Sequence, residues 1–284
     1  MKIQYMSDLH MEFAENSRYL KNVEFPVTGD VLVLAGDTFY LNDTIAPLSK
    51  FWKWASANYK QVLLVPGNHE YYQGCDVMTR GLQWRWMFKD NVGYYQNQVV
   101  RIDDTDFILS TLWSHVLPQN EFFVSRGMND FYQTKFNGKR LTVEDYNGMH
   151  KFCFDFIRKS VEESTAKHIV VVTHHLPTLK VVAAQHLGSD LNSAFATELG
   201  NFIADSRIDA WIYGHSHTNI DTEIGNTKIM SNQMGYVFEN EHLCNGFDTR
   251  KLIEIEDDRH ENRKLPDKAD YTRRSWSDVL EVSY

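Results

Sequence analysis

Val31-Leu32-Val33-Leu34-Ala35-Gly36-Asp37 is a run of five aliphatic residues that ends in a glycine and a carboxylate. A short, unbroken apolar run closed by a turn signal reads as a strand buried on both faces, the kind a parallel sheet uses. The arrangement recurs on both sides of it. Ile3-Gln4-Tyr5-Met6 leads to Asp8-Leu9-His10, and Val62-Leu63-Leu64-Val65-Pro66 leads to Gly67-Asn68-His69-Glu70. Ile169-Val170-Val171-Val172-Thr173 leads to His174-His175, and Ala210-Trp211-Ile212-Tyr213 to Gly214-His215-Ser216-His217. A weaker sixth case runs from Phe107-Ile108-Leu109-Ser110-Thr111-Leu112 to Trp113-Ser114-His115. Open sheets place their sites beyond the ends of such strands, so donors from distant parts of the chain are expected to meet there.

Stretches of helical period alternate with these runs, which predicts an α/β layering. Ile45, Leu48, Phe51, Trp52 and Ala55 form one apolar stripe; Tyr146, Met149, Cys153, Phe156 and Ile157 form a second, opened by Thr142 and Asp145 as a capping pair. Leu191, Phe195, Leu199, Phe202 and Ile203 suggest a third helix. Gly225-Asn226 divides a predicted hairpin, and residues 251–256 alternate as a half-buried strand does. Residues 115–140 show no clear period and read as a long irregular connection, a substrate-side loop or cap. Residues 257–284 read as a charged C-terminal tail, and the whole of 1–284 as one domain.

A hydrophobic fraction of 43% with 24% charged residues is that of an ordinary globular protein. The net charge of -9 opposes non-specific binding to a nucleic-acid polyanion. Cys75, Cys153 and Cys244 are far apart and odd in number, so they give neither a disulfide framework nor a thiolate metal site. No apolar run approaches the ~20 residues of a membrane span, and the N-terminal residues lack the apolar core of a signal peptide. A cytoplasmic location is expected.

Taken singly, the strand-end clusters are weak signals. A carboxylate after a strand is more often a turn or cap residue, and a lone histidine is more often structural. Asp8 and His10, like His215 and His217, are two residues apart, and in extended chain such side chains point the same way. The joint pattern, each cluster directly after an apolar strand, points to a metal site.

In order, D-x-H, G-D, G-N-H-E, a later histidine and G-H-x-H make the chain resemble the calcineurin-like metallophosphoesterase superfamily. The resemblance covers residues 8 to 217. It implies an α/β fold of the four-layer αββα kind, two mixed sheets flanked by helices, with metals at the strand ends. It implies that Asp8, His10 and His217 hold one divalent ion and Asn68, His174 and His215 another, with Asp37 bridging them. Such imidazole, carboxylate and amide donors suit manganese, iron, zinc or cobalt. Two ions ~3.5 to 4 Å apart would activate a bridging hydroxide for in-line attack on a small phosphomonoester or phosphodiester. His69, outside the ligand set, would protonate the leaving oxygen.

Glu70 is expected to orient its neighbours, His175 to stand behind the ligands or at the substrate edge, and His115 and Arg126 to face the substrate. Ser7-Asp8-Leu9-His10-Met11-Glu12-Phe13, Gly67 to Tyr72 and Met128-Asn129-Asp130-Phe131 resemble motifs of a bacterial phosphohydrolase branch. Relatives there carry Asn-Pro-Arg-Gly-Tyr where this chain has Asn232-Gln233-Met234-Gly235-Tyr236, so that loop offers no guanidinium to a phosphate. Two alternatives stand beside the small-ester reading: a nuclease with the same core, and a non-catalytic scaffold that binds a protein partner through the surface around Phe122 to Phe136.

Overall fold

The computed structural model describes residues 1–256, so the predicted tail at 257–284 lies outside the described residues. The chain opens with β1 (Lys2–Met6), α1 (Ala14–Asn22), β2 (Val31–Ala35), α2 (Lys50–Asn58), β3 (Gln61–Val65), β4 (Trp84–Lys89) and β5 (Val92–Gln96). It continues with β6 (Gln98–Ile102), β7 (Thr105–Ser110), α3 (Glu121–Gly127), α4 (Asp130–Gln133), β8 (Lys135–Phe136), β9 (Lys139–Arg140) and α5 (Val143–Glu163). Then come β10 (His168–Thr173), α6 (Asn192–Phe195), α7 (Gly200–Ala204), β11 (Ala210–Tyr213), β12 (Thr222–Ile224), β13 (Thr227–Ser231), α8 (Glu241–Cys244) and β14 (Leu252–Glu254).

Two six-stranded sheets result, ordered β14-β1-β2-β3-β5-β4 and β12-β13-β11-β10-β7-β6. Both are built alike. β1, β2, β3 and β5 run parallel in one, and β13, β11, β10 and β7 in the other, with antiparallel strands on all four edges. The expected four-layer sandwich of two mixed sheets flanked by helices is therefore what the chain forms.

The unbroken apolar runs follow from this layering. Val31, Val33 and Ala35 face the other sheet and pack with Val170, Val172 and Ile212. Leu32 and Leu34 face outward onto Trp52 and Ala55 of α2. The same alternation holds in the second sheet, where Ile169 and Val171 pack with Ile157 and Val161 of α5 and Ile203 of α7. Each central strand thus needs apolar side chains on both faces.

Three expectations are corrected. The first expected stripe becomes a helix, α2, only from Lys50, after a 3-10 turn containing Pro47, which leaves Ile45 and Leu48 exposed. The third is two short helices, α6 and α7, because the chain between them bonds to Leu176: Leu176 N–H donates to the Phe195 carbonyl at 3.1 Å and Thr197 N–H to that of Leu176 at 3.1 Å. Residues 115–140 are not irregular but hold α3, α4 and the hairpin β8–β9. Helices of seven and four residues are too short to display an apolar period.

At α5, Thr142 accepts from the Asp145 N–H while the Asp145 carboxylate accepts from the Thr142 N–H, the expected capping box. Thr142→Ala is expected to cost about 1 kcal/mol of stability, read as a lower urea midpoint with unchanged slope; an unchanged midpoint would show that the cap contributes nothing.

Candidate metal centre

Because β1, β2, β3, β10 and β11 run parallel within their sheets, the segments after them emerge at one edge of the sandwich. Backbone bonds stitch these segments together. Asp8 N–H donates to the Gly36 carbonyl at 3.0 Å, His10 N–H to that of Asp37 at 2.9 Å, and Gly214 N–H to that of His174 at 2.9 Å. Glu70, fully buried, accepts from Asp37 N–H (2.9 Å), Thr38 N–H (2.7 Å), Gly67 N–H (2.8 Å) and the Tyr94 hydroxyl (2.9 Å). It thereby ties the ends of β2 and β3 to each other, as an orienting residue would.

Asp8, His10, Asp37, His215 and His217 all have positive φ, from 45° to 79°. The extended-chain reason for pairing Asp8 with His10 and His215 with His217 is therefore wrong; each side chain is aimed from a left-handed turn beyond the strand. Such conformations cost energy and gather at functional sites. Gly36, at φ 93°, could carry no Cβ without striking the His174 imidazole.

Among the described residues, three overlapping groups form, the donor atoms within each lying within 4.8 Å of one another: Asp8, His10 and His217; His10, Asp37 and His69; and Asp37, His174 and His215. Asn68 joins the third through its Oδ1, 3.0 Å from His174 Nε2. Asp37 belongs to the second and third, with Oδ1 3.3 Å from His174 Nε2 and Oδ2 3.8 Å from His10 Nε2. Asp8 Oδ1 lies 3.5 Å from His217 Nε2.

The imidazoles are held from behind. His10 Nδ1 bonds Glu12 Oε1 at 3.0 Å, His217 Nδ1 bonds Glu241 Oε2 at 2.7 Å, and His174 Nδ1 bonds the Ala35 carbonyl at 2.9 Å. Donation from Nδ1 leaves each Nε2 lone pair facing inward, the usual support of a metal-ligating histidine. Two such atoms, His10 Nε2 and His217 Nε2, stand 3.0 Å apart, and buried His215 Nε2 has no hydrogen-bond partner among the described residues. Converging lone pairs with an orphaned imidazole nitrogen are the donor set of a cation site, so these residues fit the metals.

The acids and imidazoles shift one another's proton affinities. Burial disfavours charge on His174, but the Asp37 carboxylate outweighs it and lifts the imidazole to about 9. Burial is likewise outweighed at His217, which Asp8 and Glu241 lift to about 10. Burial, with His175 and His174 nearby, holds His215 well below the ordinary histidine value. Burial also raises Glu70, to about 8, helped by the charge of Asp37.

His69 belongs to the second donor group and is 9% exposed, with Nδ1 3.1 Å from Glu12 Oε1 and Nε2 3.3 Å from the Tyr236 hydroxyl. The rings of Phe13, Tyr236 and Phe238 pack together beside it. His175 stands behind the ligands, its Nε2 2.9 Å from the Tyr146 hydroxyl and its ring 4.2 Å from that of His215. His115 and Arg126 are not among the grouped donors: His115 lies beside His150, ring centroids 5.9 Å apart, and Arg126 is exposed over the Phe122 ring. Sequence reading missed Glu12, Glu241 and Tyr236 as parts of the site. Glu12 stood in a quoted motif two residues after His10; Glu241 follows no strand and gave no signal.

The profile of the calcineurin-like phosphoesterase family matches residues 1–219. The chain belongs to that family. An uncharacterized protein, L509, of Acanthamoeba polyphaga mimivirus is 28% identical over 278 residues, covering 89% of this chain and 96% of the relative. Among solved structures, the phosphopantetheinyl hydrolase of Mycobacterium tuberculosis superposes with a TM-score of 0.60 at 16% identity, covering 89% of this chain and 95% of that one. A putative 5'-nucleotidase from Staphylococcus aureus gives a TM-score of 0.44 at 17% identity, over 82% of this chain and 48% of that one. Among the described residues no helix is long and apolar enough to cross a membrane.

Because the acids around them raise the proton affinity of His174 and His217, loading a metal after chelation is expected to release protons. Calorimetry at pH 7 in buffers of different ionisation enthalpy should report roughly two protons released per loaded centre, with affinity rising as pH climbs toward 9. Metal uptake with no proton release and no pH dependence would contradict the donor assignment.

Proposed function

We propose that this calcineurin-like phosphoesterase is a dimetal-dependent hydrolase of a small phosphomonoester or phosphodiester. The observation that carries the reading is the placement of Asp37, whose two carboxylate oxygens face different histidines, His174 and His10, of two donor groups. Asp8, His10 and His217 would hold one divalent ion, Asn68, His174 and His215 the other, and Asp37 would touch both. Manganese, iron, zinc and cobalt all suit these donors. Two such ions, when bound, neutralise phosphoryl charge and supply a hydroxide nucleophile at neutral pH.

The remaining work falls to this chain's own side chains. His69 donates Nδ1–H to Glu12, which leaves Nε2 facing the Tyr236 hydroxyl. Burial opposes a charge on this ring, but Asp37 and Glu12 outweigh it and raise its affinity for a proton. A proton held at Nε2 is then available to the leaving oxygen. The Tyr236 hydroxyl, 3.3 Å away, shows that an oxygen fits within hydrogen-bond reach of that atom. Glu12 keeps His10 and His69 in fixed orientation through a single carboxylate oxygen.

The net charge of -9 speaks against the nuclease alternative, and the complete donor set speaks against a scaffold that has lost catalysis. Free Cys75, Cys153 and Cys244 fit the cytoplasmic setting we assign to it.

Asp37→Ala should abolish manganese-dependent turnover of aryl phosphate mono- and diesters and lower metal content; retention of both would end the proposal. His69→Ala should lower the rate by about 10²- to 10⁴-fold, with the loss concentrated on substrates with poor leaving groups. A loss uniform across leaving groups would contradict its role as the acid.

A further inference from the structure

Asn68 carries a side-chain amide whose two ends have nearly the same shape and opposite polarity. Its Oδ1 can ligate a cation; its Nδ2 cannot. The backbone alone does not decide which end faces His174, so something behind the amide has to choose.

Nδ2 donates to the Tyr72 hydroxyl at 3.0 Å and lies 3.5 Å from Asp130 Oδ2. The Tyr72 hydroxyl spends its own proton on Asp130 Oδ2, at 3.1 Å. Committed in this way, the Tyr72 oxygen can only accept, so it takes the amide N–H and repels the amide carbonyl. Reversing the amide would set Oδ1 against two acceptor oxygens and turn N–H groups toward His174.

Asp130 is fully buried, and its Oδ1 has no hydrogen-bond partner among the described residues. A buried carboxylate with one oxygen unsatisfied is costly. The Tyr72 ring also stacks on His69, centroids 4.2 Å apart at 28°. One small network therefore connects the 115–140 segment to both Asn68 and His69.

We propose that Asp130 is a positioning residue for Asn68: acting through Tyr72, it fixes the amide so that Oδ1 faces the metal centre. The proposal rests on the reading of Asn68 as a ligand. It accounts for a buried acid in the segment 115–140 that the phosphoesterase chemistry itself does not use.

The test is a manganese titration by calorimetry on the full chain after chelation. Asp130→Ala and Tyr72→Phe, the latter removing only a hydroxyl, should each weaken one of two ions by about 10- to 100-fold and leave the other unchanged. Adding Asn68→Asp to either variant should return that ion to near wild-type affinity, because both ends of a carboxylate are acceptors and its orientation no longer matters. Unchanged binding in both variants, equal weakening of both ions, or no rescue by Asn68→Asp would overturn the proposal. A wild type that takes up none of manganese, iron, zinc or cobalt would sink the dimetal reading together with this one, whereas two ions in the wild type and unaffected variants would sink this one alone.

Discussion

The packing of many acids and imidazoles into one nearly dry volume is the constraint to which the rest of the structure answers. The side chains of Asp8, Glu12, Asp37 and Glu70 are buried within reach of His10, His69, His174, His215 and His217. A charge removed from water is tolerated only when it is paired or hydrogen-bonded. Here the neutralisation is divided by position. Glu70 accepts from three backbone N–H groups and one hydroxyl, one oxygen each of Glu12 and Glu241 accepts from outer histidine nitrogens, and Asp8 and Asp37, besides facing the imidazoles, accept from Ser7 Oγ and the His215 N–H and from the His69 N–H respectively.

That division requires the chain to turn sharply where each strand ends. The grouped donors after β1, β2 and β11 adopt left-handed backbone, and glycine stands where a side chain would fill the centre. At Gly214 a Cβ would meet the Ala35 carbonyl, Ser7 Oγ and an Asp8 carboxylate oxygen, each at 2.8 Å. Strain of order 1 to 3 kcal/mol per such residue persists only where the surroundings over-determine it. Two parallel four-strand cores, apolar on both faces, provide that rigidity.

Much of this was legible in the sequence because buried parallel strands must be apolar on both faces and polar only at their ends. That single rule located the central strands and the order of the polar clusters at their ends; the choice of Asp8, His10, Asp37, Asn68, His174, His215 and His217 within those clusters is what the family resemblance implies. Local geometry was not legible. Alternation in extended chain paired Asp8 with His10 for the wrong reason, since both are left-handed. α3 and α4 escaped notice because they are too short for a period, and α6 and α7 merged into one stripe because the break between them is caused by a distant partner, Leu176. Glu241 reaches the centre through the fold alone. Glu12, Tyr72 and Asp130 lay within recognisable motifs, but what each touches follows only from three-dimensional neighbours.

The central claim, that Asp37 joins two metal positions, is tested most directly by anomalous diffraction from crystals grown with manganese. The account predicts two peaks about 3.5 to 4 Å apart, one beside Asp8, His10 and His217 and the other beside Asn68, His174 and His215, with Asp37 between them. A single peak, or metal bound elsewhere with Asp37 uncoordinated, would contradict it.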